Sequence, residues 1–257
     1  MKKFISYISY NLKLLRFFLS RPKLEKDTDY VKSLRKNGII TINDFENYFQ
    51  DIKKLNLFTD SLNLDEIIEN KKKNIEITDD HRANLKREFK INITNLFDKE
   101  LLLSYSKNKY TNDIIYQYFG FSPMVRNISV WIDVPNENLA EEVATQVFHR
   151  DFDDIKLIKT FLYLNNVENQ NGPFEYILTS HKKPWENNNK IIDNDSVLKK
   201  FKKENFMSVT GKKNTLIIAD TNGFHHGKKL TKGYRILLTA SYTSNNPSVK
   251  MHQGLFG

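Results

Sequence analysis

Thr215-Leu216-Ile217-Ile218-Ala219-Asp220-Thr221-Asn222-Gly223-Phe224-His225-His226-Gly227 runs from a short β-branched strand through a polar turn into two imidazoles. Strands of this length recur along the second half of the chain. After Gly120 and Pro123, β-rich runs separated by polar turns fall at 127–134, 142–148, 157–165, 174–179, 205–209, 215–219 and 234–242. Such spacing predicts a barrel or sandwich. One helix is expected in the insertion, where Asp195-Ser196 caps 197–203. Before Gly120 the pattern is helical. A helix over 29–36 is closed by Gly38, a short strand covers 39–42, and Asn43-Asp44 caps a helix carrying Phe45, Tyr48, Phe49, Ile52 and Leu55 on one side. Segments 61–70 and 82–106 also show helical spacing without Gly or Pro. The expected architecture is therefore α+β: helical support over 26–120, a β-barrel core over 121–257, and together one domain.

Residues 1–25 are set apart as an amphipathic helix, with Phe4, Ile5, Ile8, Leu12, Leu15 and Leu19 at helical spacing. Lys13 and Arg16 interrupt any signal-peptide core, and a cytoplasmic location, with or without peripheral membrane contact, is the expectation. Two readings of the apolar stripe stay open: packing on the domain or a second subunit, or peripheral contact of 1–22 with a membrane surface. The formal charge of +9 suits an anionic partner, but Lys and Asn are abundant throughout, so compositional bias explains it as well. The tyrosines at 105, 110, 116 and 118 read as packing, and no nucleic-acid partner is expected.

The chain has no cysteine, which excludes disulfides, zinc–thiolate sites, iron–sulfur clusters and thiol nucleophiles. Metal ligands must then be imidazole and carboxylate. In His149-Arg150-Asp151 an extended backbone turns residues 149 and 151 to one face and Arg150 away. His225 supplies a second imidazole. Two His and one carboxylate on a triangular face leave coordination positions open for a bidentate co-substrate and dioxygen on Fe(II). Alone, His-x-Asp is a weak signal. Arg235 strengthens it: alternation puts Arg235, Leu237 and Thr239 on one strand face, so the guanidinium faces either solvent or the barrel interior. Facing inward it needs an anion, and the distal carboxylate of 2-oxoglutarate matches its fork. Thr239 offers a hydroxyl to the same carboxylate, or merely suits a strand.

From Gly38 onward the chain resembles the phytanoyl-CoA dioxygenase family of Fe(II)/2-oxoglutarate oxygenases. The resemblance is carried by Gly38-Ile39-Ile40 through Asp44-Phe45, by His149-Arg150-Asp151, and by Asn171-Gly172-Pro173-Phe174-Glu175-Tyr176 running into Thr179-Ser180-His181-Lys182. Asp220 to Gly227 and Arg235 complete it. It implies a double-stranded β-helix, or jelly roll, with His149, Asp151 and His225 on Fe(II) and Arg235 on 2-oxoglutarate, O2 being the oxidant. The family register selects His225 over its neighbour His226, and sets Lys159 and Phe161 at the border of the co-substrate pocket. Their ordinary roles would be a solvated lysine and a core phenylalanine. Halogenating relatives lack the carboxylate, so Asp151 implies a hydroxylase, or an enzyme of another two-electron oxidation, rather than a halogenase. The same ligands without 2-oxoglutarate, and a non-catalytic binding module, are the rival readings. Specificity is expected in loops 136–146 and 182–204, which suit a small-molecule, sugar or lipid-linked substrate. His181 reads as organising its turn, Asp153 and Asp154 as charged loop residues, and His81 and His252 as surface.

Overall fold

Thr28 opens the first described element: its hydroxyl accepts from the Val31 N–H, and helix α1 (Asp29–Asn37) follows. Gly38, at φ 85°, ends it by returning its N–H to the Leu34 carbonyl, and strand β1 (Ile39–Ile42) leaves at once. A side chain is excluded here twice over, by the positive φ and because a Cβ would strike Tyr176 and His181. The computed structural model describes residues 28–76, 89–136, 144–151, 153–182 and 194–244. Residues 1–27, including the N-terminal amphipathic stretch, lie outside them, as do His81, His252, Trp185 and most of the two specificity loops.

The helix expected through Phe45 to Leu55 does not form as one piece. A single 3-10 turn covers Phe45–Asn47, and α2 (Ile52–Ser61) begins only at Ile52. Asp44 makes no capping hydrogen bond, whereas Phe45 and Phe49 stack at 5.8 Å, both edge-on to Tyr105. Burial of these rings fixes the path that local propensity left open. Helix α3 (Leu64–Glu76) follows. Within the stretch read as helix over 82–106, the structure has strand β2 (Phe89–Asn92), a 3-10 turn (Thr94–Leu96) and only then helix α4 (Lys99–Ser106). Pairing with the long strand β3 (Met124–Val134) decides β2, because it buries Ile91 opposite Ile132. Helix α5 (Lys109–Phe119) ends at Gly120, where the sequence changes from helical to β-rich texture.

The remaining strands are β4 (Ile158–Tyr163), β5 (Phe174–Ile177), β6 (Phe206–Val209), β7 (Leu216–Asp220), β8 (His225–Gly227) and β9 (Arg235–Thr243), with helix α6 (Asn194–Lys200) before β6. The run 142–148 is not a strand where it is described: Ala144–Gln146 is a 3-10 turn, and His149 alone bridges to His225. Two antiparallel sheets result, one in the order β1-β7-β4-β9-β3-β2 and one in the order β6-β5-β8. They form a double-stranded β-helix, to whose larger sheet the segment before Gly120 contributes both edge strands, β1 and β2.

Alternation along the large sheet separates two environments. Ile236, Leu238, Ala240 and Tyr242 of β9, with Ile158 and Leu162 of β4 and Leu216 and Ile218 of β7, pack against α1, α2, α4 and α5. Leu237, Phe161, Tyr163, Ile217 and Ala219 point the other way, onto Phe174 and Tyr176 of the small sheet. The candidate site lies on that inner side. Among the described residues no helix is long and apolar enough to cross a membrane.

Candidate metal centre

His149 reaches the site from an edge segment and His225 from β8, and reciprocal backbone hydrogen bonds of 3.0 Å join the two residues. This bridge sets their rings side by side, with centroids 4.4 Å apart. Asp151, two residues further along the same extended segment, donates its N–H to the Thr221 carbonyl at 2.9 Å. Its carboxylate therefore faces the imidazoles, as the His-x-Asp spacing predicts. One ligand atom from each of His149, Asp151 and His225 lies within 4.8 Å of the others.

The protonation pattern suits a cation. His149 Nδ1 lies 2.9 Å from the Val147 carbonyl and His225 Nδ1 lies 3.0 Å from the Gly223 carbonyl. A carbonyl only accepts, so each Nδ1 carries the proton and each Nε2 presents a lone pair. Burial pushes both imidazoles toward the neutral form; for His225, burial and the neighbouring His149 bring the pKa down to about 3. His225 Nε2 then faces Asp151 Oδ2 at 3.5 Å, one electron-pair donor against another. Oδ2 is buried. Such a juxtaposition calls for positive charge. The Lys159 ammonium supplies it at 2.8 Å, as an ion pair. Burial alone would raise the Asp151 pKa, but the Lys159 ammonium, through its charge and its contact with the carboxylate, outweighs it and holds the carboxyl well below its usual range. Two neutral imidazoles and one carboxylate, aimed together, form a donor set that fits a divalent ion such as Fe(II).

The inner face of the large sheet continues from Lys159 to Phe161, whose ring lies 4.6 Å from Phe174, and across to Thr239, the cross-strand partner of Phe161. The Thr239 hydroxyl is 3.0 Å from that of Ser129 and donates to the Ser129 carbonyl. Arg235 takes the inward of its two options and is buried. Its Nε and Nη2 both donate to Asp133 Oδ2, at 3.1 and 2.9 Å, and its Nη1 to the Gly172 carbonyl. The anion beside this guanidinium is thus a side chain of the protein. Sequence reasoning missed Asp133: its parity on β3 is legible, but the register that pairs it with Arg235 is not.

His226 is turned away from the cluster, with Nδ1 2.6 Å from the Gln146 carbonyl, Nε2 2.9 Å from Glu175 and its ring against Phe148. It ties the turn preceding His149 to β5 and β8. Arg150 does point away from the ligands, into a buried seat where it donates to the Ser180 carbonyl and lies over the Phe224 ring. His181 Nε2 meets the Arg35 carbonyl at 3.2 Å, joining its turn to α1. Asp154 is buried and accepts from Ile155 N–H and Ser244 N–H, so it anchors the end of β9 rather than an open loop. Behind the His225 turn, Tyr118 donates to Asp220 Oδ2 at 2.5 Å, while Asp220 Oδ1 accepts from Asn222 N–H. Nothing in the sequence had singled out that support.

No family model matches the chain, and no curated protein matches it in sequence. Solved structures do match in fold. The non-heme alpha ketoglutarate dependent carbocyclase SnoK from nogalamycin biosynthesis superposes with a TM-score of 0.57 at 12% identity, covering 89% of this chain and 87% of that one. The epimerase SnoN, in complex with Fe3+, alpha ketoglutarate and nogalamycin RO, gives 0.55 at 10% identity over 86% and 85%. HygX from Streptomyces hygroscopicus, with nickel, 2-oxoglutarate and hygromycin B bound, gives 0.51 at 9% identity over 86% and 88%. At these identities the likeness establishes the shared fold.

Proposed function

We propose that this protein is an Fe(II)- and 2-oxoglutarate-dependent oxygenase that hydroxylates a C–H bond of a small-molecule, sugar or lipid-linked substrate, releasing succinate and CO2. The observation that carries the reading is the convergence of ligand atoms from two neutral imidazoles and one carboxylate within 4.8 Å. His149, Asp151 and His225 would hold the iron, which supplies the site of dioxygen activation. The carbonyls of Val147 and Gly223 keep the imidazoles in the ligating tautomer. Lys159, Phe161, Thr239 and Arg235 share the inner face and would border the co-substrate. Gly227 follows His225 by two residues on the same face of β8, and the Arg235 guanidinium packs against it. Two strand steps are about 6.6 Å, a span that a short dicarboxylate bridges. That the solved structures of like fold include enzymes described with Fe3+ and alpha ketoglutarate, and with nickel and 2-oxoglutarate, supports the same assignment. The order of the sequence motifs favours the phytanoyl-CoA dioxygenase branch, and the intact Asp151 favours hydroxylation.

A specific observation favours a second reading: Arg235 already has a carboxylate partner, Asp133, as it would in a barrel metalloenzyme that uses no 2-oxoglutarate. One experiment separates the two. Under anaerobic conditions the protein should bind Fe(II) and then 2-oxoglutarate, whereas His149→Ala and Asp151→Ala should lose far more metal affinity than the roughly 10–100-fold typical of an outer hydrogen-bond partner. Iron binding without 2-oxoglutarate binding would favour the second reading, and equal iron affinity in wild type and variants would end both.

A further inference from the structure

Asp133 sits between two cations. Its Oδ2 accepts two N–H groups from Arg235, while its Oδ1 lies 4.0 Å from Lys90 Nζ, beyond hydrogen-bond range. Lys90 is the cross-strand partner of Asp133 on edge strand β2, lies over the Trp131 ring and keeps about a quarter of its side chain exposed. Arg235 is enclosed: Asp133 on one side, the Gly172 carbonyl on another, and Gly227 against its face, where a Cβ would come within 2.7 Å of Nη2. Three of its five N–H groups are engaged by the protein itself. A second carboxylate arriving at this guanidinium meets the charge of the first, and such like-charge contacts are unfavourable unless one carboxylate moves to another cation.

Resting on the oxygenase reading above, we propose that Asp133 is an internal counter-ion that the co-substrate displaces from Arg235 and that Lys90 then takes over. Asp133 thereby sets the affinity of the site for dicarboxylates. In the free protein it neutralises a buried arginine, which otherwise carries an uncompensated charge. In the loaded protein its charge opposes the incoming distal carboxylate, and the nearby ammonium gives it somewhere to go. The two neighbours of this single carboxylate therefore act with opposite sign: loss of the Asp133 charge tightens dicarboxylate binding, and loss of the Lys90 charge weakens it.

Calorimetric titration of 2-oxoglutarate into the Mn(II)-loaded protein tests this without turnover. Asp133→Asn keeps an oxygen acceptor for Arg235 and should lower the Kd by about tenfold, the scale of one like-charge contact removed. Lys90→Met, at a partly exposed position that tolerates the change, should raise it severalfold. Binding of 2-oxobutyrate, which lacks the distal carboxylate, should respond to neither substitution. Unchanged or weaker 2-oxoglutarate binding in Asp133→Asn, an unchanged Kd in Lys90→Met, or an equal response by 2-oxobutyrate would each overturn the proposal. If Asp133→Asn fails to fold, the sign of the Lys90→Met effect decides. Arg235→Gln keeps the two failures apart: if it abolishes 2-oxoglutarate binding while Asp133→Asn has no effect, the oxygenase reading stands and the counter-ion role falls. If wild type binds no 2-oxoglutarate, the reading itself falls.

Discussion

The two faces of the large sheet share one backbone and one alternation, yet they do different work. The outer face is aliphatic and aromatic, and its few polar atoms are tied down: Tyr105 donates to Thr160, Tyr242 to the Ser106 carbonyl and Tyr118 to Asp220. The inner face mixes Phe161, Leu237 and Ile217 with Lys159, Thr239, Asp133 and Arg235, and its charges are matched in pairs. Paired buried charge contributes little net stability compared with an apolar core of the same volume. Stability should therefore reside mainly on the outer face, and ligand binding on the inner one.

The strongest test is Leu238→Ala. Leu238 is fully buried on the outer face, and truncating it should cost about 2–5 kcal/mol in urea denaturation. Metal affinity, measured where the variant is still folded, should not move; a parallel loss of metal binding would break the division between faces. Tyr118→Phe probes a place where the two regions touch. The Tyr118 hydroxyl satisfies Asp220, whose other oxygen holds the turn leading to His225. Its removal should cost about 1–3 kcal/mol by stranding a buried carboxylate oxygen. Here a modest loss of metal affinity should accompany the stability loss, and the absence of any change in metal binding would show that the turn is held without it.

The smallest effect concerns pH. Burial pushes the His181 imidazole below its ordinary value of 6.5, so the folded protein keeps it neutral while the unfolded chain takes up a proton. The unfolded state then binds more protons just below pH 6.5, and stability falls as the pH drops through that region. Asp220 opposes the shift, and Lys156 and Lys182 reinforce it. His181→Gln should flatten this part of the stability profile, as read from denaturation midpoints at neutral and mildly acidic pH. An unaltered slope would assign the acid sensitivity to other groups.

Much of this was legible in the chain itself. Alternation along 234–242 assigned Arg235, Leu237 and Thr239 to one face, and the two-residue spacing of His149 and Asp151 put an imidazole and a carboxylate side by side. Gly38 marked a helix end correctly, and the change of texture at Gly120 falls where the last N-terminal helix stops. The errors fell where burial overrode local pattern. Phe45 and Phe49 interrupt a helix to stack on Tyr105, and 89–92 becomes a strand because β3 offers it an edge.

Periodicity and residue chemistry thus determined the strand faces, the donor atoms and the inward-or-outward choice open to Arg235. Only the tertiary structure decided that choice and supplied its partner, because Asp133 lies 102 residues away and reaches Arg235 solely through the register of β3 against β9. Register is set by how a whole face buries itself, a long-range sum over many contacts that no local window contains.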